Sequence, residues 1–236
     1  MKDVLKTAEA ALAALRENGA DMAGVVAAYT ETREFNVDGG QFSLLRTLFD
    51  DSLSLAGYRQ GRKGTAMINR FDDGSIQAAA RECMLSAEAA EPDEAWDLAP
   101  GQGLASYTDG CPQGDMDALF SRLRELMDTL NREHPLILVE QLIASHRKYR
   151  AAYRNSKGAA FLTEGGAYRV EIMYSGHQGE QSSSFFSTSL TLDNLDRPLL
   201  ECGSLARDVA DVERQIHTRT LEGKFQGTVI LSPSCL

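Results

Sequence analysis

The sequence contains few residue patterns that could carry out chemistry on their own. No two of its four histidines have the spacing of the zinc-binding motif H-E-x-x-H; they are His134, His146, His177 and His217. No G-x-S-x-G nucleophile elbow, G-x-x-x-x-G-K-[ST] phosphate loop or G-x-G-x-x-G dinucleotide motif occurs either. We therefore predict no catalytic residue, no cofactor-binding residue and no metal ligand within this chain.

Cysteine and serine residues also favour structural roles over catalysis. The four cysteines are widely spaced and form no C-x-x-C pair; they are Cys83, Cys111, Cys202 and Cys235. Such spacing favours free thiols over a disulfide framework or a thiolate metal site. The serine run 182–184 is typical of a polar strand, and we assign it no catalytic role.

The segment HRKYRAAYRNSKG, residues 146–158, is the strongest candidate for binding. Its five basic residues interleave with two tyrosines, a combination that can bind single-stranded nucleic acid by stacking and by attraction to phosphates. The strict alternation is better explained by a half-buried strand whose arginines face water, followed by a turn at 155–158. We predict Arg150, Arg154 and Asn155 as residues that would contact a peptide or a protein partner.

Charge narrows the classes of partner. The net charge is −10 and the estimated pI is 4.9, which disfavours direct nucleic-acid binding because that depends on lysine and arginine contacts to phosphates. Residues 1–114 contain 10 basic and 18 acidic residues, whereas residues 115–236 contain 14 and 16. An anionic group is therefore expected to contact the second half of the chain.

Composition predicts a globular protein without a membrane span. Hydrophobic residues make up 43% of the sequence, enough for a buried core. No window approaches the roughly 18 uninterrupted apolar residues that a membrane helix needs, and the start, MKDVLKTAEAALAAL, lacks a signal-peptide cleavage pattern. We predict a cytoplasmic location.

Hydrophobic spacing predicts the elements of the first half. Apolar residues recur at helical spacing over 2–18, and Gly19 supplies the residue that tolerates a left-handed stop. Short apolar runs separated by DGG, DD and GRKG over 24–70 predict hairpins and an antiparallel sheet. A second helix is predicted to begin at Asp72 or Asp73 and to end at Pro92.

The second half repeats this order after a segment rich in proline and glycine. Residues 91–114 cannot sustain a helix or a central strand, so we interpret them as a connection between two lobes. A third helix is predicted over 115–132, followed by alternating strands and by a fourth helix that ends at Gly223. The β-branched run 228–231 predicts one more strand.

These elements predict an α+β fold with two lobes, each a mainly antiparallel sheet packed with helices. The boundaries are an amino-terminal lobe at 1–90, an acidic linker at 91–114 and a middle lobe at 115–222. Residues 223–236 are interpreted as the first strand of a further domain.

Three segments in order resemble the TldD/PmbA family, whose members have been called modulators of DNA gyrase. They are LAGYRQGRKGTAMINRFDDGSIQAAARECMLSAEA at 55–89, the N-S-x-G turn within YRNSKGAAF at 153–161, and GKFQGTVILSP at 223–233. The resemblance implies the first two regions of a longer protein, cut just after its third domain begins. It also implies a metal-dependent peptidase family, that is, a hydrolase acting in proteolysis.

The resemblance places the metal chemistry outside this chain. TldD-type members hold zinc through an H-E-x-x-x-H helix and a cysteine in the third region, and no position here matches them, Cys235 included. PmbA-type members lack the zinc motif and pair with a TldD-type subunit in a dimer whose cavity admits unfolded peptide. Zinc is thus expected only in the missing domain or in a partner subunit, and the chain is expected to be inactive alone.

Two other functions compete with a substrate-cavity and dimerisation part of such a peptidase. One is a non-enzymatic protein-binding or regulatory module that resembles a gyrase modulator, with a basic protein meeting the acidic first lobe. The other is an unrelated small hydrolase, which the lack of a nucleophile and base motif disfavours. Whether the chain is of the TldD type or the PmbA type, and whether it pairs with itself, stays open at this point.

Overall fold

The computed structural model describes residues 3–218, 222–224 and 226–231, which form an α+β fold. The four helices in the described part are α1 (Val4–Glu17), α2 (Asp73–Ala89), α3 (Met116–Glu133) and α4 (Leu205–Arg214). The strands are β1 (Met22–Asp38), β2 (Gln41–Arg59), β3 (Arg62–Ile68), β4 (Gly103–Gly110), β5 (Ile137–Asn155), β6 (Ala159–Gln178), β7 (Gln181–Ser182) and β8 (Phe186–Leu192). The predicted α+β class is confirmed.

Aspartate side chains begin three of the helices. Asp3, Asp72 and Asp115 each accept a hydrogen bond from a backbone N–H in the first turn of the helix that follows. Such caps satisfy N–H groups that have no partner within the helix. Together with the apolar spacing, they explain why helices begin where the sequence predicts them.

The strands form one sheet rather than the two that the sequence predicts. Its order is β3-β2-β1-β5-β6-β4, with β7 and β8 also paired to β6. The two halves of the chain are joined because β1 and β5 pair without interruption over 15 residues, Gly24–Asp38 against Gln141–Asn155. Strands of 17 to 20 residues are long enough to extend through both predicted lobes.

Two separate cores lie along this sheet. One packs α1 and α2 against one end of the strands and contains Leu15 and Leu53. The other packs α3 and α4 against the opposite end and contains Leu123 and Leu142. Because side chains alternate along a strand, the core residues that β1 and β5 contribute to both clusters point to the same face. The helices therefore cover the two ends of one face and leave its middle open.

The segment at 91–114 does more than connect the halves. Its strand β4 pairs in parallel with the first half of β6, at the edge of the sheet. An edge position suits its glycine-rich composition, because an edge strand needs hydrogen bonds on one side only.

The carboxyl-terminal elements are shorter than predicted. Helix α4 ends at Arg214, and Ile216 follows in a turn, where it packs against Gly176. Residues 226–231 lie in no strand, and Ile230 is 91% exposed. The rest of the strand predicted within 223–236, residues 232–236, lies outside the described residues, as do 219–221. Within the described part, no helix has the length and apolar character that crossing a membrane requires.

Candidate binding groove

Four charged or titratable residues meet in the open middle of the helix-covered face. In the β1–β5 register, Arg33 lies opposite His146 and Glu31 lies opposite Lys148. Arg33 Nε donates a hydrogen bond of 2.8 Å to Glu31 Oε1. Lys148 is half-buried and has no carboxylate partner among the described residues. These residues line a cavity of about 180 Å³ together with Pro112, Gln113 and Gly114. We call it the polar cavity.

His146 forms the buried wall of the polar cavity. It is only 5% exposed, and its ring lies 4.9 Å from the ring of Tyr168. Its Nε2 lies 2.8 Å from the carbonyl oxygen of Cys111, which can only accept, so Nε2 carries a proton and donates it. No described residue bonds to Nδ1. In the neutral ring Nδ1 is therefore an acceptor available to a ligand.

Gly114 makes this arrangement possible. A Cβ atom at position 114 would lie 2.2 Å from Cγ of His146, far inside van der Waals contact. Only glycine lets the loop before α3 pass so close over the imidazole ring. The amino-terminal end of α3, capped by Asp115, then lies beside the polar cavity.

Cys111 and His146 do not form a nucleophile and base pair. Cys111 Sγ lies 3.8 Å from His146 Nε2, but the proton on Nε2 is engaged by the Cys111 carbonyl group. Burial raises the pKa of the Cys111 thiol above its ordinary value. A protonated thiol beside a donor nitrogen is not an activated nucleophile.

Ser175 also has a possible nucleophile, its hydroxyl group, close to a histidine. Its Oγ donates to Glu140 Oε1 at 2.8 Å and lies 2.8 Å from His177 Nε2. The glutamate thus contacts the serine, whereas a catalytic triad places the carboxylate on the far nitrogen of the histidine. Ser175 is also only 2% exposed. This cluster therefore ties β5 to β6 and does not prepare a nucleophile.

An apolar groove of about 930 Å³ adjoins the polar cavity and shares Arg33 with it. Its walls are the outer half of the β1–β2 hairpin and the first turns of α3. The ring of Phe120 lies 5.4 Å from Phe35 and 5.0 Å from Phe42. Leu45 and Phe49, which also line it, are each 65% exposed. We call this surface the apolar groove.

A β-bulge determines which side chains face the apolar groove. The β1–β2 register shifts between Asn36 and Val37, so Phe42 lies opposite Val37 and Leu44 lies opposite Asn36. An uninterrupted strand would place Phe42 and Leu44 on the same face. The bulge instead puts Phe42 on the groove side opposite Val37, while Leu44, opposite Asn36, only borders the groove.

The outer half of β2 has an unpaired edge. Strand β3 pairs only with Leu53–Arg59, so among the described residues Gln41–Ser52 is paired only with β1. Leu48, which lies opposite Thr32, is 43% exposed on the face opposite the apolar groove. The hairpin therefore presents apolar side chains on both faces.

The residues predicted as contacts already have partners within the chain. Arg150 Nε lies 2.7 Å from Glu164 Oε1, and Arg154 Nη2 lies 2.6 Å from Glu9 Oε1. Asn155 is buried; its Oδ1 accepts hydrogen bonds from two backbone N–H groups of the 155–159 turn, and its Nδ2 donates to Ala99 O. Arg150 lies next to Lys148 on the groove-side face of β5. A contact of these residues with a peptide stays a prediction.

Sequence reasoning missed the residues that do form the site. Arg33 belongs to β1, whereas His146 and Lys148 belong to β5, and no local spacing connects Arg33 to the other two. The available signal was the alternation within 146–150, which places His146, Lys148 and Arg150 on one face of a strand.

The described residues do not fit a zinc site. No group of three or more His, Cys, Asp or Glu side chains among them converges closely enough to hold a metal ion. The Cys111–His146 pair offers two atoms at most, and the hydrogen bond of Nε2 to a carbonyl group occupies one of them. No chemical step is therefore assigned to a metal held by these residues.

Comparison with known proteins identifies the fold. No protein-family model matches the sequence, and no curated protein matches it. Solved structures do match: TldE from Thermococcus kodakarensis has a TM-score of 0.70 at 15% identity over 89% of this chain. A candidate modulator of DNA gyrase from Bacteroides thetaiotaomicron has a TM-score of 0.65 at 16% identity over 92% of this chain. Another, from Thermotoga maritima, has a TM-score of 0.58 at 11% identity over 91% of this chain.

This chain spans about half the length of each of these proteins, namely 47%, 51% and 48%. At identities this low, the similarity concerns the fold. It agrees with the resemblance that three segments of the sequence indicate. The chain has the fold of TldE and of candidate DNA gyrase modulators, the TldD/PmbA fold.

Proposed function

We propose that this chain is the peptide-binding part of a TldD/PmbA-type metallopeptidase and that it holds unfolded peptide in the apolar groove. The observation that carries this proposal is the groove itself, about 930 Å³ and lined by exposed aromatic and leucine side chains. Zinc would be held by another region of the protein or by a partner subunit, and this chain alone would not cleave peptide.

The character of the groove selects unfolded segments. Leu45, Phe49 and Phe120 can gain burial only against apolar side chains, and folded proteins keep most of those in their interiors. An extended segment exposes them and can lie along the hairpin and the first turns of α3. Arg33 and Asp117 at the rim would orient polar atoms of the peptide backbone.

A peptide-binding measurement tests the proposal. A fluorescein-labelled, extended peptide rich in leucine and phenylalanine is titrated with the chain, and anisotropy gives its Kd. Phe49→Glu is expected to weaken binding about tenfold or more, because a buried phenylalanine contributes roughly 1.5–3 kcal/mol. Mass spectrometry of the peptide after incubation should show it intact.

Leu85→Glu is the matched control for Phe49→Glu. Leu85 is 64% exposed, close to the 65% of Phe49, but it lies on α2 outside the apolar groove. We expect this variant to bind like the original chain. Equal binding by the Phe49 variant would contradict the proposal, as would cleavage of the peptide.

The hairpin also supports a second candidate function, a protein-binding module that pairs with a partner subunit or with itself. Leu48 does not line the apolar groove, and its register partner Thr32 lies on the face opposite the groove, so a peptide in the groove leaves Leu48 exposed. The neighbouring unpaired edge contains no lysine or proline, the residues that often protect such edges. Loss of self-association or partner capture in Leu48→Lys, with unchanged peptide binding, would favour this function.

A further inference from the structure

The polar cavity has unsatisfied groups of a particular kind. Lys148 is a half-buried cation without a carboxylate partner in the described part of the chain, and Arg33 adds a second cation beside it. Glu31 offsets only one of these charges through its bond to Arg33. In a protein with a net charge of −10, this local positive excess indicates an anionic ligand.

A second, independent observation comes from His146. Its side chain is more than nine-tenths buried and lines the cavity, and Nδ1 has no hydrogen-bond partner among the described residues. Because Nε2 carries the proton, Nδ1 of the neutral ring accepts a hydrogen bond. The cavity therefore offers two cations that can bind an anionic group of a ligand. It also offers one buried acceptor that can bind a hydrogen-bond donor of the same ligand.

We propose that the polar cavity binds the free carboxyl terminus of the peptide whose apolar side chains occupy the groove. The terminal carboxylate would contact Lys148 and Arg33, and the N–H of the terminal residue would donate to His146 Nδ1. This inference rests on the proposed function. It adds that the peptide enters by its carboxyl-terminal end.

The size and position of the cavity support a chain end. Its volume of about 180 Å³ is the size of one terminal residue. Arg33 belongs to both surfaces, so a peptide in the apolar groove reaches the cavity directly.

Three peptides that share one apolar sequence test the inference: the free acid, the C-terminal amide, and an amide whose last residue is aspartate. We expect the free acid to bind about tenfold more tightly than either amide, the loss typical of one charge-assisted hydrogen bond. Lys148→Gln should remove the difference in affinity between the free acid and the two amides. Lys6→Gln, a change on the exposed surface of α1, should leave the difference intact.

Each outcome separates the inference from the proposed function. Equal binding of acid and amide would overturn the inference alone, and tight binding of the aspartate amide would show recognition of any carboxylate rather than a terminus. Failure of all three peptides to bind would overturn both. If Lys148→Gln loses its circular dichroism spectrum, Lys148→Met replaces it and is expected to remove the same difference.

Discussion

At the scale of single residues, the position of one proton decides what the site can do. The carbonyl group of Cys111 holds the proton of His146 on Nε2. Because Nε2 is protonated, it cannot accept the proton of the Cys111 thiol. In the neutral ring, Nδ1 is then the nitrogen that can accept a hydrogen bond from a ligand. Two residues that could suggest nucleophilic chemistry therefore indicate recognition instead.

At the cap of α2, local hydrogen bonds likewise determine the protonation of a side chain, that of Asp72. Asp72 accepts bonds from the backbone N–H of Ser75 at 2.9 Å and from its hydroxyl at 2.8 Å. These bonds hold the pKa of Asp72 below its ordinary value of 3.8. A folded-state pKa that is lowered contributes stability above the unfolded pKa, and that stability is lost as pH falls through the folded pKa.

Asp72→Asn tests this pH dependence. Asparagine keeps the cap but not the charge, so we expect the variant to melt at a lower Tm than the original chain at pH 7. The difference should shrink as the pH falls below 3.8 and through the lowered folded-state pKa of Asp72, where the carboxylate becomes protonated. Thermal unfolding followed by circular dichroism measures it. A difference that stays constant over this range would contradict the explanation.

At the scale of elements, glycine determines how closely α2 packs on the sheet. A Cβ atom at Gly64 of β3 would lie 1.9 Å from the carbonyl oxygen of Cys83 and 2.5 Å from the backbone nitrogen of Ala87. Both are backbone atoms of α2 and cannot rotate away. The helix therefore contacts the strand without an intervening side chain, which brings Cys83 and Ala87 fully into the core.

Gly64→Ala should accordingly separate helix and strand. Overpacking of this kind costs about 1–3 kcal/mol, and a clash with backbone places the expected loss at about 3 kcal/mol. Urea unfolding measures the free energy. Gly74→Ala is the control: Gly74 lies in the first turn of α2, its nearest atom would be 3.4 Å away, and alanine there should be neutral or stabilising. Equal stability of both variants would show that the close approach is not needed.

The β1–β2 hairpin is the element that carries the proposed function. It extends beyond the end of β3, and its bulge distributes apolar side chains to both faces. A shorter hairpin would be fully covered by the helices. Its length therefore creates both the apolar groove and the unpaired edge.

At the scale of the whole molecule, one sheet joins two cores. The long strands β1, β5 and β6 contribute residues to both clusters, so unfolding of one end disturbs the pairing of the other. The described part of the chain is therefore expected to unfold as one unit, although the sequence predicts two lobes.

Trp96 allows a direct test of this cooperativity, because it is the only tryptophan and contacts Tyr58 near the α1–α2 end. Leu123→Ala removes a fully buried side chain from the other core and should cost about 2–5 kcal/mol. If the molecule unfolds as one unit, the unfolding transitions followed by Trp96 fluorescence and by circular dichroism shift together to the same lower urea midpoint. An unchanged Trp96 transition would show that the cores unfold separately.

Local patterns predicted the elements well but the site poorly. Aspartate caps and apolar spacing located the helices, and alternation located β5 and β6. Arg150 was correctly placed on a strand, but its partner Glu164 belongs to β6, and Arg33, which faces the same cavity side, belongs to β1. No local rule connects such residues, because the register between distant strands depends on how the whole sheet is assembled.

The sequence by itself determined the α+β class, the helix starts, the alternating faces of the strands and the net acidity, because each of these depends on residues close together in the chain. Only the tertiary structure decided that β1 pairs with β5, that a bulge turns Phe42 toward the groove, and that Lys148 remains without a carboxylate partner in the described part of the chain. The physical reason is that pairing and burial are settled between segments far apart in sequence, where long-range packing overrides local preference.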